Sequence, residues 1–148
     1  MRTLILTIIL MASTTIHSQN NDSISKLIIG MENSALERWN NGDPSGYLEI
    51  YAKDIVYFDP MMEHRLDGLD KLTELYEGFR GKIHITKCDM INPKVQAVDN
   101  MAVLTFNLIL NIGDTVEKWN TTEVYRLEND NKWKIIQAHW SLTKPDIK

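Results

Sequence analysis

The stretch from Lys118 to Leu142, KWNTTEVYRLENDNKWKIIQAHWSL, constrains the fold more than any other. β-Branched and aromatic residues fill both flanks, and turn formers fill the middle at Glu128-Asn129-Asp130-Asn131, which predicts two long strands joined by a polar turn. A pair of this length belongs to a curved sheet. Strand alternation places Trp119, Thr121, Glu123, Tyr125, Ile135, Gln137, His139 and Ser141 on one face, and Val124, Ile136, Ala138, Trp140 and Leu142 on the other. Aromatics mixed with ionisable groups suit a small-molecule pocket, whereas the apolar face needs covering by helices or a second subunit.

At the N-terminus, one cation at Arg2 precedes the apolar run Leu4 to Met11 and then small and polar residues up to Ser18. This is the layout of a secretory signal peptide covering residues 1–18, cleaved between Ser18 and Gln19; the run is too short to span a bilayer. The expectation is therefore an exported protein, periplasmic or secreted, with residues 19–148 forming a single domain. A net charge of −4, with no basic run, argues against nucleic acid and anionic membrane as partners. Cys88 is the sole cysteine, so no disulfide within the chain can form and packing or oligomerisation must supply stability.

Apolar residues at Ile24, Leu27, Ile28, Met31, Ala35 and Trp39 fit one stripe of a helix, which Asn41-Gly42 ends. Asp43-Pro44 restarts a short helix carrying Tyr47, Leu48 and Tyr51. Ile55 to Asp59 reads as a strand stopped by Pro60, and Asp67 can cap a third helix with Leu69, Leu72, Leu75, Tyr76 and Phe79 on its apolar side. Further strands follow over Lys82 to Met90, Lys94 to Val98 and Met101 to Asn111, with Asn92-Pro93 breaking the first two apart. Helices early and antiparallel strands late imply an α+β fold, with three N-terminal helices on a bent, mostly antiparallel sheet.

Several segments carry a family likeness: the helix-NGDP-helix opening (Ala35 to Tyr51), YFDP (Tyr57 to Pro60), DGLDKL (Asp67 to Leu72), NPKVQAVDNMAVLTF, and TTEVYRLENDNKWKIIQAHWS. They resemble the nuclear transport factor 2-like (cystatin-like) superfamily, and within it the SnoaL-like proteins and the association domain of calcium/calmodulin-dependent protein kinase II. The resemblance implies a cone whose concave sheet face and helices enclose a pocket, with the outer sheet face pairing in a homodimer. Asn107 is placed in the pocket by its match to a polar position of the kinase domain. Leu104, Phe106, Leu108 and Leu110, with Val124, Ile136, Trp140 and Leu142, would then form the dimer strip. Two positions that carry arginine in the kinase domain are Asn107 and Glu123 here, so its preference for anions is not transferred and a neutral or cationic ligand is expected.

The candidate site is Asp59, Asn107, Glu123 and His139, surrounded by Trp39, Tyr47, Tyr57, Trp119 and Tyr125. Enclosed carboxylates beside a histidine suit general acid/base work, with Asp59 and His139 as the catalytic candidates. Blander readings stand beside these: core aromatics, an ion-paired Glu123, a His139 that donates to a backbone carbonyl, and an Asp59 that caps a turn. Histidine spacing offers no metal site, and no nucleotide-binding or nucleophile-elbow motif is present, so no cofactor is expected. Three functions remain: an exported small-molecule-binding protein, a cofactor-free lyase or isomerase, and an association module without a reaction.

Overall fold

The computed structural model describes residues 2–143, with side chains from residue 21 onward. Helix α1 (Arg2–Asn40) is followed by α2 (Ser45–Leu48), β1 (Tyr51–Phe58), β2 (Leu66–Asp67) and α3 (Leu69–Glu77); β3 (Lys87–Val98), β4 (Met101–Ile112), β5 (Thr115–Leu127) and β6 (Trp133–Leu142) complete the chain. The side chains of the expected leader, residues 1–18, lie outside the described residues. Among the described residues no helix is long and apolar enough to cross a membrane.

The strands form one sheet in the order β2-β1-β6-β5-β4-β3, in which only the β1–β6 pair is parallel. This is the expected α+β arrangement of three helices on a mostly antiparallel sheet. Several local expectations change: Lys82 to Thr86 stay in the loop after α3, so the strand begins at Lys87, and Tyr51 opens β1 rather than lying on α2. Asn92-Pro93 does not separate two strands: β3 continues through it as a bulge, with Asn92 at φ 49° and the register shifting between Ile91 and Lys94. Asp67 does not cap α3, because Leu66–Asp67 pairs with β1 and Gly68, at φ 96°, takes the N-cap position.

Helix α1 buries Ile28, Glu32, Ala35 and Leu36 against the sheet, while Leu27 is 51% exposed. The stripe therefore runs through Ile24, Ile28, Glu32, Ala35 and Trp39, and a carboxylic acid sits in the middle of it. The helix ends where Gly42 turns at φ 78° and donates to the Trp39 carbonyl at 2.9 Å. A Cβ there would lie 3.0 Å from the Ile83 carbonyl oxygen, so the close approach of the α3–β3 loop also requires glycine. Arg38 binds Asp43 and Glu49, and Arg80 binds Asp43 and Glu77, tying the helical corner together at its surface.

Register decides which side chains face the helices. In the β4–β5 pair Leu104 opposes Glu123, Phe106 opposes Thr121 and Leu108 opposes Trp119, so even residues of β4 share a face with odd residues of β5. In the β5–β6 pair Thr121 opposes Trp140 and Glu123 opposes Ala138, but Tyr125 opposes Ile135, leaving Ile136 as the extra residue of a bulge. The inner face is thus Trp133 and Ile135 before the bulge and Ala138 and Trp140 after it, all buried. The expected sorting is corrected accordingly. Leu104, Phe106, Leu108, Leu110 and Trp140 belong to the core rather than to a subunit interface, whereas Asn107 and His139 lie on the outer face.

Candidate functional site

Helices and inner sheet face enclose a cavity of about 470 Å³. Its helical side is built by Leu36, Trp39 and Asn40 of α1, Tyr47 of α2, and Tyr76 and Phe79 at the end of α3. Leu108 and Leu110 of β4, Trp119 of β5 and Trp140 of β6 form the opposite wall, and Tyr57, Asp59 and Met61 close one flank. The volume lies in the range of small-molecule sites, and a lining of aromatic and aliphatic side chains with a few polar groups is the composition such sites favour.

The rings brace one another. Trp39 packs on Tyr76 with centroids 4.8 Å apart and edge-on to Tyr47 at 6.0 Å, while Trp140 meets Tyr47 at 6.2 Å and Phe106 at 5.8 Å, both edge-to-face. Tyr51 and Tyr76 join their hydroxyls at 3.1 Å behind the wall. Burial raises the Tyr47, Tyr51, Tyr57 and Tyr76 hydroxyls well above their ordinary values, so all four remain neutral hydrogen-bonding groups at physiological pH.

Polar groups are sparse. Tyr57 donates to Asp59 Oδ2 at 3.1 Å, and the Met61 backbone N–H donates to Asp59 Oδ1 at 2.8 Å. Across the cavity, the Trp119 indole donates to Glu117 Oε2 at 3.1 Å. Lys82 and His84, in the α3–β3 loop, also reach the lining. Lys82 Nζ is held by the Gly78 carbonyl at 2.7 Å.

The residues expected from the sequence therefore divide. Trp39, Tyr47, Tyr57, Asp59 and Trp119 line the cavity. Glu123 and Tyr125 are buried behind it: Tyr125 lies within 3.1 Å of Glu32 and 3.0 Å of Glu123, and Tyr47 donates to Glu32 at 2.7 Å. Asn107 is exposed and donates to Asn120 at 2.8 Å on the outer face. His139 is exposed too, its ring 5.5 Å from that of Phe58. No hydrogen bond joins Asp59 to His139, and the two belong to opposite sides of the sheet. The pairing expected of them fails because the Ile136 bulge reverses the parity of the last strand.

Six participants escape a reading by alternation alone. Trp140, Leu108 and Leu110 become visible only once the cross-strand register is known. Glu117 and His84 have no sequence signal, whereas Glu32 has one: it falls four residues after Ile28 on an apolar stripe. Among the described residues, no three His, Cys, Asp or Glu side chains converge on a common point that could hold a metal ion.

A family model described as the SnoaL-like domain matches residues 34–136. The chain is 46% identical to a ketosteroid isomerase-like protein of Parabacteroides distasonis, over 82% of this chain and 89% of that one, with a TM-score of 0.75. It is also similar to an NTF2-like protein of Pseudomonas putida, at 21% identity over 86% and 91% of the two chains with a TM-score of 0.74. The association domain of C. elegans CaMKII aligns at 16% identity over 82% and 98%, with a TM-score of 0.70. These last two establish a shared fold. No curated protein matches the chain in sequence.

Proposed function

This chain belongs to the SnoaL-like domain family, and we propose that its aromatic cavity binds a small neutral or cationic organic molecule. The observation that carries the reading is the lining itself: Trp39, Tyr47, Tyr57, Tyr76, Trp119 and Trp140 surround about 470 Å³, with Asp59 and Glu117 as its carboxylates. Aromatic faces attract cations and apolar rings alike, and the two carboxylates outnumber the single lysine of the lining, Lys82, whose Nζ the Gly78 carbonyl already holds, which disfavours an anionic ligand. Thermal-shift titration with neutral, cationic and anionic aromatic compounds tests this: the first two classes should raise the Tm of the wild type, and stabilisation by anions alone would overturn it.

A second reading is favoured by Asp59 and by the label of one neighbour. Asp59 stands on the cavity flank with a tyrosine hydroxyl on one oxygen, which suits a base that moves a proton between carbons of an enclosed substrate. The 46% identical neighbour is described as ketosteroid isomerase-like. In this reading the chain is a cofactor-free isomerase or lyase that uses Asp59 without His139. A ketosteroid isomerisation assay of wild type and Asp59→Asn decides it: turnover lost in the variant supports the reading, and turnover equal in both rejects it.

Two further proposals concern the setting. Export rests on the leader-like residues 1–18, and appearance of a tagged full-length chain in the periplasm or medium would support it. A homodimer would use the outer sheet face, where Phe58, 41% exposed, lies beside His139 with the two rings tilted at 41°.

A further inference from the structure

Behind the cavity wall lies a cluster that ligand binding does not use. Glu32 of α1 and Glu123 of β5 are both fully buried, and among the described residues neither has a Lys, Arg or His partner within ion-pair distance. Three close oxygen–oxygen approaches hold them: Tyr47 to Glu32 at 2.7 Å, Tyr125 to Glu32 at 3.1 Å and Tyr125 to Glu123 at 3.0 Å. Two tyrosine hydroxyls supply only two protons for the three. Tyr125 can donate to one carboxyl, and its approach to the other is favourable only if that carboxyl donates in return. The second oxygen of Glu123, Oε1, is buried and has no hydrogen-bond donor. A carboxylate left so would carry an uncompensated charge out of water.

We infer that Glu32 and Glu123 share one proton at neutral pH and form a proton-held clasp that ties helix α1 to the sheet behind the cavity. Glu32, which receives Tyr47 and faces Tyr125, is the carboxylate of the pair; Glu123 is the acid. Burial raises both carboxyls, Glu123 the more strongly because the Glu32 charge acts on it as well. The other titratable groups that sense the pair are Tyr47 of α2, Tyr51 of β1, Tyr76 of α3, Tyr125 of β5 and Cys88 of β3, all neutral near pH 7. None can neutralise a second negative charge, so rising pH must either keep the proton in place or loosen α1. Leu36 and Trp39 of the same helix and Tyr47 line the cavity, so any loosening of α1 on loss of that proton would reach the cavity wall. It holds whether or not the cavity takes a ligand.

A pH titration of the 13Cδ resonances of glutamate in the full wild-type chain tests the proposal. One glutamate should remain in its acid form at neutral pH, and that signal should be missing from Glu123→Gln. Titration of every glutamate in the ordinary carboxylate range, or survival of the acid-form signal in Glu123→Gln, would overturn it. Should Glu123→Gln fail to fold, the wild-type titration decides alone.

Discussion

At the scale of single residues, the acid pair has a signed consequence for stability. The folded-state value of Glu123 lies above the ordinary glutamate value of 4.5, so its stabilising contribution is complete below that pH and declines as pH rises through the raised folded value. Glu123→Gln keeps a donor at the same place and removes the titration. Thermal melts from about pH 6 to about pH 9 should therefore show the wild type losing more Tm than this variant. Tyr125→Phe, which removes the bridging hydroxyl and leaves two carboxyls facing each other, should cost about 1–3 kcal/mol in denaturant melts. On the cavity side, Trp140→Ala removes a buried ring and should cost about 3–5 kcal/mol. His139→Ala lies outside and should stay within about 0.5 kcal/mol of wild type.

At the scale of elements, two backbone devices place the cavity. The Ile136 bulge lets Trp133 and Ile135 share a face with Ala138 and Trp140. Deleting Ile136 removes the extra residue and restores plain alternation, so Trp133, Ile135, Ala138 and Trp140 should stay on one face and the deletion mutant should fold with near-UV circular dichroism close to wild type; its failure to fold would contradict that role. Gly42 closes α1 against the α3–β3 loop; Gly42→Ala, strained at φ 78° and crowded by the Ile83 carbonyl, should lose about 1–3 kcal/mol. Element types were legible because they follow from local period: a helix through Ile24 to Trp39, a strand ending ahead of Pro60 and the polar turn at Asn129-Asp130 all read directly, although Leu27 of the expected stripe is exposed and Glu32 takes a buried place. Facing was not legible. Alternation within a strand gives two faces but not which of them is inside, and it carries no sign of a bulge, so Asn107 and His139 fall on the side opposite to the one expected. Residues whose place is set by short-range chemistry fared differently. Tyr57 lies in β1 and Asp59 just beyond it, and Trp39 and Tyr47 bracket the Gly42 turn; local structure places these side chains near one another, while the pocket itself is an expectation of the family resemblance.

At the scale of the molecule, one sheet performs two tasks. Its inner face carries the aromatic cavity and, deeper, the glutamate clasp; its outer face presents Asn107, Asn120, Thr122 and His139 beside Phe58. This surface is more polar than the apolar strip expected there, because Leu104 to Leu110 turn inward. A homodimer on it would therefore rest on hydrogen bonds and ring contacts as well as apolar area, and Phe58→Glu should shift sedimentation toward monomer if that face is used.

Thermal-shift titration of three proteins, wild type, Trp140→Phe and His139→Ala, with one neutral or cationic aromatic ligand bears most directly on the cavity. Ligand should raise the Tm of wild type and His139→Ala by the same amount and of Trp140→Phe by clearly less. Loss of the shift in His139→Ala with full retention in Trp140→Phe would contradict the cavity assignment.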